Sequence, residues 1–542
     1  MLSIEIDGTP LDLSEDFSAT FNFKSPLFNS IGDYSFPFKI PATPKNVGLL
    51  NWQHRIENNN DPNIYIPGTI LYNGDPFFEG TIRIKKADKT TYEGSLFIEK
   101  GNFNWEIKDK LLTDIDLGKM EFANENEVLA YANDSLDRLY PLEPIAFPEI
   151  YNEYYFDPPT EDPALLWYNK MSMVTGTLSL FTAEGARSLL VPNLYIKYVL
   201  DKVAEGYGYT IMDEFFGTSE SLKQLALYTS YSINNRYWFI NTIYFNLLVP
   251  KVKISKLITD LENLFNCSFL VSAKFRQIRI VSRKTVLLDP DYIEFSTNIM
   301  DFRVEPETKK NGFVFTMETD DGDKVMEEKL AGQSDTEELI QGAVEFFTDL
   351  PPQPLSTLGD IRYVISENAW YQLNVVNYMI GWRIVDMTAL FPTKFYYKSL
   401  DDNNKVETSL STILAWVYAG HVGNLGADYR DIKQRLFFIR RLQLFGEKFT
   451  HTYAMNWTEQ NALTWGGTTG LFATYWKDWC DWQLYCRKAV SFSKQMNHHE
   501  IKDFDFTKKV MIDGTRYLVS ELQVVLKLNS ISTAKLKAFT CS

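Results

Sequence analysis

A glycine- and threonine-rich turn leads directly into a run of aromatic residues in the segment Trp465-Gly466-Gly467-Thr468-Thr469-Gly470-Leu471-Phe472-Ala473-Thr474-Tyr475-Trp476-Lys477-Asp478-Trp479. From there, residues recur at the spacing of one helical face, with a single polar interruption. They are Phe472, Tyr475, Trp476, Trp479, Cys480, Gln483 and Cys486. The pattern predicts a helix over 468–488 that Thr468 or Thr469 caps. So much aromatic surface must be covered by the rest of the chain or by a neighbouring subunit.

The composition indicates a folded, β-rich protein with several domains. At 542 residues the chain is too long for one ordinary core, so about two to four domains are expected. Hydrophobic residues make up 45% and charged residues 23%, as in folded soluble proteins. Aromatic residues reach 15% and favour strands and interfaces. We therefore predict a β-rich, multidomain protein of the α+β class.

The charge excludes one class of function. The net charge is −16 and the isoelectric point is about 5.0. A protein that tracks the nucleic-acid backbone needs a basic face, and lysine and arginine are scattered here among more numerous acidic residues. An acidic surface repels DNA that passes nearby, so we expect no sequence-specific nucleic-acid binding.

Cysteine usage and the termini predict synthesis in a reducing cytosol. The four cysteines, Cys267, Cys480, Cys486 and Cys541, include no C-x-x-C pair. Residues 1–8 read as a strand and turn rather than as a signal peptide. The longest apolar run, 238–249, is short and ends at Pro250, so no membrane span is expected.

The first part of the chain alternates apolar and polar residues as strands do. Phe17, Ala19, Phe21 and Phe23 form one such set, and Asn73-Gly74 between two apolar runs predicts a hairpin. Several short strands at this spacing predict a β-barrel or β-sandwich domain over 1–110.

Four further segments follow by composition. Proline and tyrosine predict an irregular connection or insertion over 111–190. An α+β domain is expected over 191–320, where a helix beginning at Ser255 leads into two strands, 268–271 and 277–282. Acidic and proline-rich residues predict a linker or loop over 321–355. Residues 356–542 are expected to form a β-rich domain around the aromatic helix 468–488.

The histidines do not show the spacing of a metal site. They are His54, His421, His451, His498 and His499. Only His498 and His499 cluster, and adjacent side chains in an extended segment point to opposite sides. A solvated loop is therefore the favoured interpretation over a metal site.

Two sets of acidic residues could form a glycosidase pair. They are Asp157, beside Tyr154, Tyr155 and Phe156, and the pair Asp478 and Asp481. Acidic side chains number 70, and nothing in the sequence places two at the required separation, so a solvated acidic surface is favoured.

The remaining motifs also favour structure over chemistry. The glycine-rich turn 466–470 precedes a helix, as an anion site does, but it lacks the lysine of a P-loop. Aromatic residues on the helix could stack sugars, although helical spacing is more typical of a core. We therefore predict no catalytic, cofactor-binding or metal-binding residues, no cofactor and no enzymatic activity.

Three stretches together resemble a known class. The first is Phe36 to Asn46, a strand that runs into a proline-fixed turn, with Asn73-Gly74 and Glu79-Gly80 further on. The second is the helix from Lys256 to Cys267 with Ile278-Arg279-Ile280-Val281, and the third joins the aromatic helix to Asp503-Phe504-Asp505-Phe506 and Asp513-Gly514. This order resembles large tail proteins of bacteriophages and prophages, of the baseplate or tail-hub type.

The resemblance implies a structural role in a virion. Such hubs have tail-tube-like β-barrel domains and commonly form a three-fold ring around the path of the DNA. The expected partners are the chain itself, as a homotrimer, and the tube, tip or fibre and tape-measure proteins of the tail. The expected location is the virion tail, after synthesis in the host cytoplasm. Residues 34–46 then have two interpretations, an edge strand with a rigid exit or an inter-subunit β contact.

Two alternatives stay open at the level of sequence. One is a receptor- or glycan-binding tail-tip protein, in which exposed tryptophan and tyrosine side chains stack sugars. The other is a glycan-cleaving enzyme that uses a carboxylate pair. Burial of the tryptophans would count against the first.

Overall fold

The structure is a computed structural model that includes the side chains. It describes residues 1–28, 35–52, 65–98, 103, 106–152, 167–171, 177–179, 189–234, 239–272, 275–306, 310–317, 434–444, 449–455, 458, 460–461, 463 and 469–541, and short strands between 344 and 425. The linker predicted over 321–355 lies outside these residues, apart from one strand at 344–347. The turn residues Trp465 to Thr468 also lie outside them.

Strands dominate the described part of the chain. Before residue 318 they are β1 Leu2–Ile6, β2 Thr9–Pro10, β3 Ser18–Lys24, β4 Ser35–Pro41, β5 Tyr65–Tyr72, β6 Asp75–Ala87, β7 Thr91–Ile98, β8 Lys119–Glu121, β9 Ile145–Ala146, β10 Ile150–Tyr151, β11 Trp167–Tyr168, β12 Asn193–Leu194, β13 Thr210–Asp213, β14 Leu225–Leu227, β15 Tyr231–Ser232, β16 Thr242–Tyr244, β17 Cys267–Ser272, β18 Gln277–Ser282, β19 Tyr292–Glu294, β20 Ile299–Val304 and β21 Lys310–Met317.

The later strands continue to the end of the chain. They are β22 Val344–Phe347, β23 Ile361–Val364, β24 Ala369–Gln372, β25 Arg383–Ala389, β26 Phe391–Pro392, β27 Phe395–Leu400, β28 Val406–Glu407, β29 Leu414–Val417, β30 Asn424–Leu425, β31 Arg435–Leu444, β32 Phe449–Met455, β33 Ala489–Lys494, β34 Lys509–Ile512, β35 Thr515–Lys527, β36 Ser530–Ile531 and β37 Ala534–Cys541.

Helices are fewer and shorter. The α-helices are α1 Pro44–Leu49, α2 Glu125–Ser135, α3 Ile196–Gly206, α4 Ile254–Phe265, α5 Arg283–Leu288, α6 Lys477–Asp481 and α7 His498–Lys502. Single 3₁₀ turns lie at Leu112–Asp114, Leu222–Gln224 and Phe245–Leu247, and π turns at Phe472–Trp476 and Trp482–Cys486. The predicted fold class, α+β and rich in strands, is confirmed.

The N-terminal strands form a six-stranded sheet in the order β2-β1-β5-β6-β7-β4. The predicted hairpin at Asn73-Gly74 joins β5 to β6, and both residues have positive φ, 54° and 87°. That conformation suits asparagine and glycine and matches the right-handed twist of the strands. At the far side, β4 is the end strand of the sheet, which agrees with the interpretation of residues 34–46 as an edge strand.

A second, eight-stranded sheet joins the two ends of the chain. Its path is β19-β34-β35-β37-β33-β20, and both β36 and the N-terminal β3 pair with β35. The β3–β35 register runs from Ser18 opposite Lys527 to Lys24 opposite Glu521. The predicted turn at Asp513-Gly514 lies between β34 and β35, with positive φ at both residues.

One apolar core fills the space between these two sheets. Phe21, Ile40 and Phe78 from the N-terminal part lie in the same buried cluster as Phe492 and Val524 from the C-terminal part. The division of the chain into domains stays a prediction, but the ranges 1–110 and 356–542 share this core.

The middle of the chain contains the predicted helix and hairpin. Helix α4 buries an apolar face that includes Leu257 and Leu261, and it ends at Asn266, which adopts the left-handed conformation. This C-cap turns the chain directly into the antiparallel pair β17–β18, against which β13 lies parallel.

Residues 111–190 contain regular structure where they are described. Helix α2 is capped by Asn124, whose side chain accepts a hydrogen bond from the Glu127 amide. Short antiparallel pairs follow, β10 with β11 and β9 with β12. The segment therefore packs into the body of the protein through these elements.

Candidate functional site

The aromatic segment forms a helix, although not the regular α-helix that the spacing predicts. It begins with the π turn Phe472–Trp476, passes through α6 and ends with the π turn Trp482–Cys486. A π turn is wider than an α turn, so it shifts the phase of the buried face. Trp482 and Leu484 are consequently buried in place of Gln483 and Cys486, for which the prediction was wrong.

The predicted threonine cap is absent from the described start of this helix. Leu471 holds the N-cap position, and its side chain makes no capping hydrogen bond. The first turn is closed instead by Thr474, whose amide donates to the Gly470 carbonyl at 2.9 Å. Thr474 Oγ1 also donates to the Thr469 carbonyl at 3.2 Å, so threonine stabilises this turn from inside the helix.

The chain itself covers the aromatic face. Trp476 and Trp479 are 1% and 2% exposed. The Trp476 Nε1–H donates to the Asn263 carbonyl at 2.9 Å, and Asn266 Nδ2 donates to the Tyr475 carbonyl at 2.8 Å. The helix is therefore fixed to the end of α4, and these two indole rings are not available to stack sugars.

The same helix contacts both ends of the chain. The Phe28 ring lies 5.6 Å from Trp479 and 5.1 Å from Phe539, measured between ring centroids. Trp482 Nε1 donates to the Thr540 carbonyl at 2.8 Å. The aromatic helix thus connects the N-terminal segment, the helix-hairpin unit and the last strand.

The two carboxylates of this helix are engaged in ion pairs. Asp478 Oδ2 lies 2.8 Å from Lys284 Nζ, and Asp481 Oδ2 lies 2.5 Å from Lys477 Nζ. Both side chains are partly solvated, so the arrangement is that of a surface ion-pair network. The other acidic candidate, Asp157, lies outside the described residues together with its three aromatic neighbours.

A cleft of about 670 Å³ lies between the N-terminal sheet, the β17–β18 hairpin and the segment after α7. Its apolar lining includes Phe23, Phe77, Phe78, Leu270 and Phe504. The three stretches that carry the sequence resemblance all reach it, through Glu79, Arg279 and Asp505 respectively.

Five charged residues line the cleft: Glu79, Lys502, Asp503, Asp505 and Arg279. Among them, Arg279 is paired with two acidic residues. Its guanidinium lies 3.2 Å from Glu214 and 3.8 Å from Asp505. The lining contains no histidine or cysteine. The cleft therefore combines an apolar wall with charged residues of both signs, a lining that suits the binding of a protein segment.

A buried polar cluster lies behind the β17–β18 hairpin. Arg283 Nε donates to Ser268 Oγ at 2.8 Å, and Ser268 Oγ donates to the Pro26 carbonyl at 3.2 Å. Burial lowers the pKa of the Arg283 guanidinium, and the charge of Glu262 opposes that shift. Burial also raises the pKa of the neighbouring Cys267 thiol, so that this thiol stays protonated and is not a nucleophile.

The histidine pair is in a helix and not in an extended segment. His498 and His499 are the first two residues of α7, where Asn497 and Glu500 form a capping box. Their ring centroids lie 3.9 Å apart, and His498 Nε2 lies 3.5 Å from Asp75 Oδ2. The sequence argument that adjacent side chains diverge is therefore wrong here. Of the other histidines, His451 lies in β32, and His54 and His421 lie outside the described residues.

Both end strands of the eight-stranded sheet expose apolar side chains. Met300, Phe302 and Val304 of β20 are 44%, 44% and 66% exposed, and Tyr292 and Ile293 of β19 are also exposed. The β20 strand pairs with β33 on one side and has no partner on the other among the described strands. Sequence reasoning missed this edge, although the alternation of Met300, Phe302 and Val304 was visible.

No helix in the described part of the chain is both long and apolar enough to cross a membrane.

Two tail proteins are among the solved structures that are similar to this chain. No protein-family model matches the chain, and no curated protein matches it. The 43 kDa tail protein of prophage MuSo2 from Shewanella oneidensis is 8% identical, with a TM-score of 0.35, over 99% of this chain and 95% of that one. A tail protein from Neisseria meningitidis MC58 is 9% identical, with a TM-score of 0.28, over the same shares of the two chains. Both titles name tail proteins, the class that the sequence resembles.

Proposed function

We propose that this chain is a non-enzymatic structural subunit of a phage tail, at the hub or baseplate. In this role it joins the tail tube to the tail tip by homo-oligomerisation around the path of the DNA. Its partners are further copies of itself, as a trimer, and the tube, tip or fibre and tape-measure proteins.

The observation that carries this proposal is the β20 end of the eight-stranded sheet, where no further strand pairs within the described part of the chain. An end strand presents unpaired amide and carbonyl groups, and natural proteins usually protect such an edge with charges, prolines or covering loops. In β20 the apolar side chains of Met300, Phe302 and Val304 are exposed, and a bulge shifts the register between Met300 and Arg303. Methionine and phenylalanine are enriched at protein–protein interfaces, so their exposure on this strand supports a contact with another protein.

The aromatic helix supports a structural role over glycan binding. Trp476, Trp479 and Trp482 are all buried, so their rings stabilise the subunit and do not face solvent. A sugar-binding surface needs indole faces open to solvent. Of the described tryptophans, Trp52 is exposed.

The acidic residues support a passive surface over catalysis. Asp478 and Asp481 are each paired with a lysine and are partly solvated, as in surface ion pairs. The net charge of −16 fits a ring whose inner surface lets DNA slide without binding.

The first test is electron microscopy of the purified full-length chain. We expect class averages of a three-fold annulus with a central channel. Substitution Val304→Asp places a carboxylate on the β20 edge and should shift the particles to monomers. Leu142→Asp is the matched control, because Leu142 is 73% exposed and lies outside the strands of that sheet.

Two results would count against the proposal. The first is that the wild-type protein stays monomeric at concentrations where tail rings assemble. The second is that the Val304→Asp variant forms rings as well as the wild type does. Specific binding of host envelope glycans by the isolated chain would favour the tail-tip alternative instead.

A further inference from the structure

We propose that Asp75, His498 and His499 form a binding site for a divalent transition-metal ion, with Zn²⁺ as the best-suited ion. The site is independent of the structural role proposed above. It lies where the turn between β5 and β6 meets the start of α7.

The donor atoms are close enough to share one ion. A carboxylate oxygen of Asp75 and one ring nitrogen from each histidine all lie within 4.8 Å of one another. His498 Nε2 and Asp75 Oδ2 are 3.5 Å apart. Two ligands bound tetrahedrally to Zn²⁺ at about 2.0–2.2 Å lie about 3.4 Å apart, so this pair needs almost no movement.

The position of His498 is fixed by its surroundings. Its ring lies 5.4 Å from the Tyr72 ring and 6.5 Å from the Phe77 ring, measured between centroids. Its Nε2 atom is buried and makes no hydrogen bond to any described residue. A buried ring nitrogen that faces a carboxylate without a hydrogen bond is a group that a bound cation would satisfy.

The helix that presents both histidines is held against the strand that presents Asp75. The Asn497–Glu500 capping box fixes the first turn of α7, and Lys502 Nζ donates to the Pro76 carbonyl next to Asp75. The three ligands therefore come from elements already in contact, so binding requires little ordering of the chain.

The ligand set selects the class of ion. Imidazole nitrogen suits Zn²⁺, Cu²⁺, Ni²⁺ and Fe²⁺, whereas Mg²⁺ and Ca²⁺ prefer sites made of oxygen ligands. Asp75 and His499 are exposed, which leaves space for water or a group from a neighbouring molecule as the fourth ligand. Because the ligands come from β6 and α7, a bound ion would cross-link the N-terminal sheet and the C-terminal segment.

The test is calorimetric titration of the chelator-treated, full-length protein with ZnCl₂. We expect one ion per chain, and at least about tenfold weaker binding in each of Asp75→Asn and His499→Gln. Asp513→Asn is the matched control, because it also removes an exposed carboxylate next to a hairpin turn but does not belong to the group of donor atoms around the histidines. Both test residues are exposed, so their variants should keep the fold, which circular dichroism checks.

A second measurement reports the ligands directly. Co²⁺ in place of Zn²⁺ should give a visible absorption band in the wild-type protein that both variants lose. Absence of Zn²⁺ binding up to submillimolar concentrations would overturn the proposal. Unchanged Zn²⁺ affinity in Asp75→Asn and His499→Gln would overturn it as well, since other histidines would then hold the ion.

Discussion

Substitution of Phe21 by alanine should destabilise both ends of the chain together. Phe21 is 0% exposed, and its ring lies 5.7 Å from Phe78 and 6.2 Å from Phe23. Its strand pairs with β35, where Val524 is the opposite residue. Removing a buried phenylalanine costs about 3–5 kcal/mol of stability.

Hydrogen exchange measured by mass spectrometry shows which strands lose stability in this variant. If the N-terminal and C-terminal strands open as one unit, a loss of about 4 kcal/mol accelerates amide exchange in both by about three orders of magnitude. We expect this acceleration in β1 and β5 and equally in β35 and β37. Tyr485→Ala is the control, because this side chain is 60% exposed and its loss should change stability by less than about 0.5 kcal/mol.

One pattern of exchange would refute this reasoning. If Phe21→Ala accelerated exchange only within residues 1–98 and left 489–541 unchanged, the first 110 residues would be an independent domain. The shared core between the two sheets would then be a surface contact between separately stable units.

Three further predictions follow from single side chains. Trp476→Phe removes the donor to the part-buried Asn263 carbonyl and should lower the free energy of unfolding by about 1–3 kcal/mol in urea titrations; a change below about 0.5 kcal/mol would contradict the importance of this hydrogen bond. Cys486 is the exposed cysteine, so a thiol reagent should label it rapidly in the native protein while the other three react only on unfolding; equal rates would contradict the described burial. Burial raises the pKa of the Cys541 thiol to about 11 from 9.0, so the folded state holds this proton more tightly than the unfolded state. The stability that this thiol contributes is present below pH 9.0 and lost as the pH rises to about 11, at about 1.4 kcal/mol per pKa unit. Over that pH range the free energy of unfolding of Cys541→Ala should therefore fall by about 2–3 kcal/mol less than that of the wild type. Identical pH profiles of stability for the two proteins would refute the pKa shift.

Sequence patterns correctly predicted the strands, turns and helices that form from interactions between residues close in sequence. The alternation of Phe17 to Phe23 predicts β3, and the positive φ that Asn73-Gly74 tolerates predicts the hairpin between β5 and β6. The apolar face of α4 and the change to alternation after Cys267 predict the helix and hairpin in the middle of the chain. Each of these follows from backbone sterics and side-chain periodicity within one element.

Prediction failed where neighbours distant in sequence set the geometry. The aromatic helix follows an α-helical pattern in sequence, but it has π turns at both ends and buries Trp482 and Leu484 in contact with residues from both halves of the chain. The sequence argument places the histidine pair in an extended segment, because two adjacent residues show no helical periodicity. Its capping box, Asn497 with Glu500, was the local signal that could have identified the helix.

The sequence by itself determined that this is an acidic, strand-rich α+β chain with an aromatic helix, because charge, composition and periodicity belong to the residues themselves. Tertiary contacts set the pairing of β3 with β35, the burial of Trp476, Trp479 and Trp482, and the approach of Asp75 to His498 and His499. The physical reason is that such contacts depend on which apolar faces bury one another across long loops. Many pairings satisfy the same local patterns, and packing of the common core selects one of them.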